Sequence, residues 1–391
     1  MNPPALDGLR VLDLTRLLPG PLATWMMAEL GADVIKVEDP RVGDLTRHLP
    51  PMDQAGHGAL FSFLNRSKRS LALDLKRKEG HDIFMRLVET CDLVVEGFRP
   101  GVMERLGLDY ETLKQHKEDV ILCSISGYGQ TGPLKNRAGH DLNFQALAGL
   151  LSQQGPARQP PALSSVPVAD VVGGTWQALA ALFGALYQRE RTGQGQWLDV
   201  AMCEGALSAL VMPLADLALG KPIPARGRGP LTGALPAYGV FATADDGYLS
   251  VAAIEPKFFD NLMEVLDLEQ HKGQAGLSGE AGQSLRADIA ERLASKDLQH
   301  WVERLDGVET CCEPVVEVFD LPKQAQFAAR GLFRPGPEGP RLASPLRLAG
   351  GLRPESEAPS LGQHSAALLK EMGLDESSIQ DLAFLGILRL G

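Results

Sequence analysis

Short β-rich runs alternate with amphipathic stretches through the first third of the chain, and this alternation restricts the fold more than any other feature. Leu9-Arg10-Val11-Leu12-Asp13-Leu14 precedes a helical stretch over 22–30, and Val34-Ile35-Lys36-Val37 follows, which makes a βαβ unit. The alternation continues with Leu71-Ala72-Leu73-Asp74-Leu75, a helix around 82–90, Asp92-Leu93-Val94-Val95 and Val120-Ile121-Leu122-Cys123-Ser124-Ile125. Strands separated by helix-length crossovers pair in parallel, so the expected class is α/β with a doubly wound parallel sheet.

At 391 residues the chain exceeds what one hydrophobic core normally supports, and two domains are expected. Trp176, Leu179, Ala180, Phe183 and Leu186 recur at helical spacing and predict a long helix over 171–191, stopped by Gly193. A strand over 196–200 and a helix over 204–219 come next. Residues 220–233 crowd proline, glycine and arginine together and read as a mobile domain connection. A hairpin is expected beyond it, from 238–243 and 248–252 about the turn Asp245-Asp246-Gly247. Helical runs over 258–266, 284–294 and 298–305 complete a smaller α+β segment. The proline-rich tail closes with helices over 365–372 and 377–385, the second stopped by Gly386.

Charge and cysteine usage narrow the function. With 38 basic against 49 acidic side chains the net charge is −11, so bulk nucleic-acid binding, which needs a basic face, is not expected. Five cysteines without C-x-x-C spacing read as reduced thiols. The longest near-continuous apolar run, 178–187, is shorter than the ~18 residues of a membrane span, and the first residues lack the basic and apolar regions of a secretory signal. The expected location is therefore cytoplasmic, or an organelle matrix, with no membrane partner.

Candidate chemistry lies in a few segments. Gly127-Tyr128-Gly129-Gln130-Thr131-Gly132 has dinucleotide-fingerprint spacing, but Pro133 and a polar run follow it where a phosphate-binding helix should begin. Six cations crowd residues 66–78: Arg66, Lys68, Arg69, Lys76, Arg77 and Lys78. In an acidic chain such a local reversal suits phosphate groups, though a solvated turn would use the same residues. Arg99, in Gly97-Phe98-Arg99-Pro100-Gly101, and Arg105 follow the next strand. Ligands bind beyond the carboxyl ends of parallel strands, where these clusters would converge on a polyphosphate.

His140, in Ala138-Gly139-His140-Asp141-Leu142-Asn143, sits at a loop-to-helix transition where Gly139 allows close approach and Asp141 can cap the helix. An imidazole there suits proton transfer, and a hydrogen-bonded structural histidine fits equally. Asp170 opens the long helix, as its cap or as a carboxylate supported by the helix N-terminus, with Gly173-Gly174 letting a substrate approach. Glu255 precedes Pro256 at another helix start, where a helix-dipole role is the alternative. No metal-ligand set and no G-x-S-x-G nucleophile elbow is present in the sequence.

Taken together, the segments resemble the family III CoA-transferase (CaiB/BaiF) superfamily over nearly the whole chain. The carriers are 6–14, Pro19-Gly20-Pro21, Gly31-Ala32-Asp33-Val34-Ile35-Lys36-Val37-Glu38, 68–76, Arg99-Pro100-Gly101-Val102-Met103 and Arg191-Thr192-Gly193-Gln194-Gly195-Gln196. Gly139-His140-Asp141-Leu142-Asn143, Ala169-Asp170 and Ala253-Ile254-Glu255-Pro256 look like its α-methylacyl-CoA racemase branch.

The resemblance implies a large Rossmann-like CoA-binding domain, 1–220 plus 331–391, a small α+β domain, 221–330, and an interlocked homodimer. It implies inversion of the α-carbon of 2-methylacyl-CoA thioesters through an enolate. His140 and Asp170 would be the two acid/bases, Glu255 would support His140, and backbone N–H groups around Gly139 to Asp141 would face the thioester oxygen. The implied CoA contacts are Arg41, Lys68, Arg69, Leu73, Asp74, Leu75, Lys76, Gly97, Phe98, Arg99, Arg105, Gly139 and Asp141. Arg41 enters because Asp39 stands where family members often carry an arginine. No cofactor is implied beyond coenzyme A as part of the substrate. The alternatives are a CoA-transferase in which Asp170 is a covalent nucleophile, and a catalytically inactive CoA-binding protein.

Overall fold

The structure, a computed structural model, describes residues 2–391. Two compact units divide the chain. The first runs to Leu150 and adds Ser164–Leu210 and Gly331–Gly391, and the second comprises Leu151–Leu163 and Val211–Arg330. The boundary thus falls ten residues before the proline-rich connection, and the short segment 151–163 goes with the second unit.

In the first unit, β1 (Arg10–Leu14), β2 (Asp33–Glu38), β3 (Arg69–Leu73), β4 (Leu93–Glu96), β5 (Ile121–Ser126) and β6 (Gln196–Ala201) form a parallel sheet in the order β3-β2-β1-β4-β5-β6. Leu12 of β1 lies in register with Ile35 of β2 and Val94 of β4. The central strands are near-continuous hydrophobic runs because both faces are covered. Leu12, Leu14, Ile35, Val37, Leu71, Val94 and Leu122 point to one face, against helix Lys78–Val88 and the C-terminal helices Ser365–Glu371 and Glu376–Phe384. Val11, Val34, Leu93, Val95, Ile121 and Ile125 point to the other, against helices Pro19–Glu29 and Gln177–Thr192. This two-residue alternation places β1 at the centre of two cores at once.

The long helix is continuous from Ala169 to Thr192, with Ala169–Trp176 wound as a π-helix and Gln177–Thr192 as an α-helix. Its 24 residues are long and apolar enough, by length and composition, to cross a membrane, which the shorter apolar run in the sequence did not suggest. Here Ala178, Leu179, Leu182 and Ala185 are buried in the core. The helix expected over 204–219 is broken into Met202–Ser208, in the first unit, and Val211–Ala218, in the second.

The second unit pairs β7 (Tyr238–Ala242) with β8 (Tyr248–Ala252), the expected hairpin, and adds β9 (Cys312–Pro314), all antiparallel. Helices Pro256–Val265, Gly279–Leu293 and Leu298–Leu305 cover it with a core of Phe259, Leu262, Met263, Ile289 and Trp301. The tail returns to the first unit as a hairpin, β10 (Phe333–Pro335) with β11 (Pro340–Leu342), and ends in β12 (Leu388–Arg389), antiparallel to β3 at the edge of the large sheet.

Candidate active site

Strand order reverses at β1, whose neighbours β2 and β4 lead to opposite edges, and a crevice opens beyond the carboxyl ends at such a point. A cavity of about 300 Å³ lies there, and Thr15, Arg16, Arg99, Tyr128, His140 and Asp170 are among its walls.

His140 is the residue before helix Asp141–Leu147, and its backbone N–H donates to Asn143 Oδ1 at 3.0 Å. Its side chain is exposed. The preceding glycine is dictated by packing. A Cβ on Gly139 would lie 2.7 Å from the Phe144 ring and 2.9 Å from the Tyr128 hydroxyl, and these two rings stack edge to face with centroids 5.1 Å apart.

Asp170 lies in the first turn of the π-wound segment and is not its cap. Half-burial, reinforced by the nearby Asp141 carboxylate, pushes its carboxyl up to about 6. Asp141 does not cap its own helix, as the sequence suggested. Its carboxylate accepts from the N–H groups of Ala169 at 2.7 Å and Asp170 at 3.1 Å, and so caps the helix that carries Asp170. Gly173 and Gly174 are also explained by packing and not by substrate approach: a Cβ on Gly173 would lie 2.1 Å from the Met202 carbonyl oxygen, and one on Gly174 would meet Pro19 at 2.7 Å.

A second cavity, of about 420 Å³, lies beyond β1, β2 and β3 and shares Arg16, Phe98 and Arg99 with the first. Leu73, Asp74, Leu75, Lys76 and Arg105 line it, with Asp39, and Gly97 lines the first cavity. The Arg16 guanidinium lies 5.2 Å from the Phe98 ring centroid. Among the described residues, Arg16, Lys76, Arg99 and Arg105 have no carboxylate within ion-pair distance.

The rest of the expected phosphate cluster is committed elsewhere. Lys68 is fully buried, with Nζ bonded to Asp13 Oδ2 at 3.0 Å, Thr24 Oγ1 at 2.8 Å, Asn65 Oδ1 at 2.9 Å and the Pro21 carbonyl at 3.0 Å. It has no face left for a ligand, and burial pulls its ammonium down to about 8. Arg69 opens β3 at the amino end, opposite the cavities, and pairs with Asp33 at 2.6 Å and Glu371 at 2.7 Å. Arg66 is buried against Glu355 at 2.9 Å and over the Trp25 ring. Arg41 is exposed and folded back on Asp39, with Nη2 to Oδ2 at 2.7 Å, so Asp39 lines the cavity and Arg41 does not. Glu255 belongs to the second unit, where it precedes helix Pro256–Val265 as expected without a side-chain cap bond.

Arg16, Thr15, Tyr128, Lys135 and Arg137 line the first cavity but were not singled out in the sequence. Arg16 lies two residues beyond the end of β1, where strand-end reasoning would have found it. The Gly127–Gly132 segment is followed by a turn and not a helix, and Gly127 and Tyr128 form part of the cavity wall.

Comparison with known proteins agrees with this architecture. The pattern of CoA-transferase family III matches residues 6–365. Alpha-methylacyl-CoA racemase of Mus musculus is 33% identical over 382 residues, covering 96% of each chain. Succinyl-CoA:mesaconate CoA-transferase of Haloarcula marismortui is 35% identical over 389 residues, covering 95% of this chain and 97% of that one. A CAIB/BAIF family protein from Brucella suis of known crystal structure superposes with a TM-score of 0.84 at 33% identity, covering 95% of this chain and 100% of that one. Family pattern, overall similarity and fold agree: the chain belongs to CoA-transferase family III, whose members include racemases and transferases of CoA thioesters.

Proposed function

We propose that this protein inverts the α-carbon of 2-methylacyl-CoA thioesters by 1,1-proton transfer, with His140 and Asp170 as the two bases. The supporting observation is that these side chains wall one cavity at the strand-order reversal, where burial and the Asp141 carboxylate push the Asp170 carboxyl up to about 6. A carboxyl group with that pKa is a competent base near neutrality and, once protonated, a competent acid. One base takes the α-proton, the electron pair passes to the thioester oxygen as an enolate, and the other base protonates the opposite face. The His140 N–H is committed to Asn143, so the N–H groups of Gly139 and Asp141 are the proposed donors to the enolate oxygen. Arg16, Arg99, Arg105 and Lys76 would hold the CoA phosphates as charge-assisted donors. The exposed apolar helix Val211–Ala218, none of whose residues is buried, supports the homodimer.

The similarity to a CoA-transferase at 35% identity supports a second reading. In it Asp170 attacks the thioester carbonyl to form an acyl-aspartyl anhydride with release of CoA thiolate, and the thiolate attacks the aspartyl carbonyl to give aspartyl-CoA and free the donor acid. The acceptor carboxylate then takes the CoA by the same two steps in reverse, regenerating Asp170. Mass spectrometry of an optically pure 2-methylacyl-CoA in heavy water, with and without added carboxylic acid, separates the two. Racemase chemistry gives one α-deuterium and loss of optical purity without the acid. CoA appearing on the added acid, with no α-deuterium, refutes it.

A further inference from the structure

The last residue of β4 is Glu96, a carboxyl group 2% exposed that the proposed chemistry does not use. It lies in register with Ser124 of β5, which hydrogen-bonds to it. Ser124 Oγ in turn accepts from Trp197 Nε1 of β6 at 3.0 Å. On its other side Glu96 Oε2 accepts from the Phe98 backbone N–H at 2.6 Å. Three adjacent strands thus hand a chain of hydrogen bonds to the first turn beyond β4. That turn sends Phe98 and Arg99 into the walls of both cavities, with Phe98 under Arg16.

A carboxyl group is a costly way to anchor one amide here. Among the described residues no cation is paired with Glu96, and burial, with the Glu104 and Asp199 carboxylates adding to it, raises it to about 7. Such local costs concentrate where function sets the geometry.

We infer that Glu96 is a positioning residue for thioester binding, holding the Phe98 amide so that Phe98 and Arg99 stand in their ligand-facing places. This rests on the reading that the two cavities receive the CoA thioester. The test is the split between KM and kcat for heavy-water exchange, with calorimetric affinity for free CoA alongside. Glu96→Ala raises KM about tenfold with kcat changed less than about twofold. A purely structural role would lower the active fraction, and so the apparent kcat, leaving KM in place. Glu96→Gln keeps an acceptor for the Phe98 amide and a polar partner for Ser124, and holds KM within about threefold of wild type.

Trp197→Phe, at a half-exposed position, folds whatever the fate of Glu96→Ala, and raises KM about threefold by freeing Ser124. Native KM in Trp197→Phe or Glu96→Ala, or a Glu96→Gln variant as impaired as Glu96→Ala, overturns the inference. Absent turnover and absent CoA affinity in the wild-type protein would instead refute the reading of the cavities.

Discussion

Lys68 and Arg99 both belong to cationic segments flanking parallel strands, yet they serve opposite purposes. Lys68 is buried in an ion pair with Asp13, next to two further buried pairs, Lys36 with Asp44 and Arg47 with Glu38. Burial opposes the charge on Asp13, but Lys68, Lys36 and two threonine hydroxyls overcome it and hold its pKa far below the usual carboxylate range. Among the described residues, Arg99, beyond the carboxyl end of β4, has no carboxylate partner, and Arg16, Lys76 and Arg105 share that condition. Charge available to a ligand is charge that the fold has not already neutralised. A count of cations along the chain does not distinguish the two groups, whereas their partners do.

The largest effect expected from this contrast is on stability. Lys68→Met leaves Asp13 short of a buried partner and destabilises the fold by about 3–5 kcal/mol in denaturant titration, while the folded molecules keep their native KM. A destabilisation near zero, or a raised KM, would break the contrast.

The carboxylates sharpen it next. Asp13 is held down by two lysines, whereas Asp170 has no cation beside it among the described residues and is pushed up to about 6. Because the folded pKa of Asp170 exceeds its ordinary 3.8, its contribution to stability is complete below about pH 3.8 and is lost as pH rises through 6. Asp170→Asn removes that loss, and by thermal or chemical unfolding it is more stable than wild type by up to about 3 kcal/mol at pH 7.5 and by about 1 kcal/mol at pH 4.5. It also abolishes turnover, and wild-type kcat/KM for the enantiomer that Asp170 deprotonates declines as pH falls through about 6. A pH-independent stability difference would show that Asp170 titrates normally.

Arg99→Ala should do the reverse of Lys68→Met: KM for the CoA thioester rises about tenfold, with steeper loss at high salt in wild type than in the variant, and thermal stability is unchanged. Arg41→Ala should have the smallest effect, with KM within about twofold and no measurable shift in melting temperature, because its guanidinium is spent on Asp39 at the surface.

Much of the fold was legible because local patterns carry it. Val11 and Leu12 alternate between two cores, and the helix Leu298–Leu305 follows its apolar spacing from end to end. His140 and Asp170 were legible as residues at helix starts, and the resemblance singled them out as a pair, but their shared cavity depends on helix Asp141–Leu147 packing beside the π-wound segment, to which Asp141 is hydrogen-bonded. The partners were not legible, since they are distant in sequence. Asp13 meets Lys68 across 55 residues, Arg69 meets Glu371 across 302, and Asp141 caps a helix 28 residues on. Strand direction carried the remaining information: Arg69 and Lys76 flank one strand, and only Lys76 lies at the end where ligands bind.

The most direct test of the two-base account is α-proton exchange by His140→Ala in heavy water, run separately on the two enantiomers of a 2-methylacyl-CoA. The account predicts that one enantiomer still acquires deuterium through Asp170 while the other does not, and that racemisation stops. Undiminished exchange of both enantiomers would remove His140 from the chemistry and contradict it.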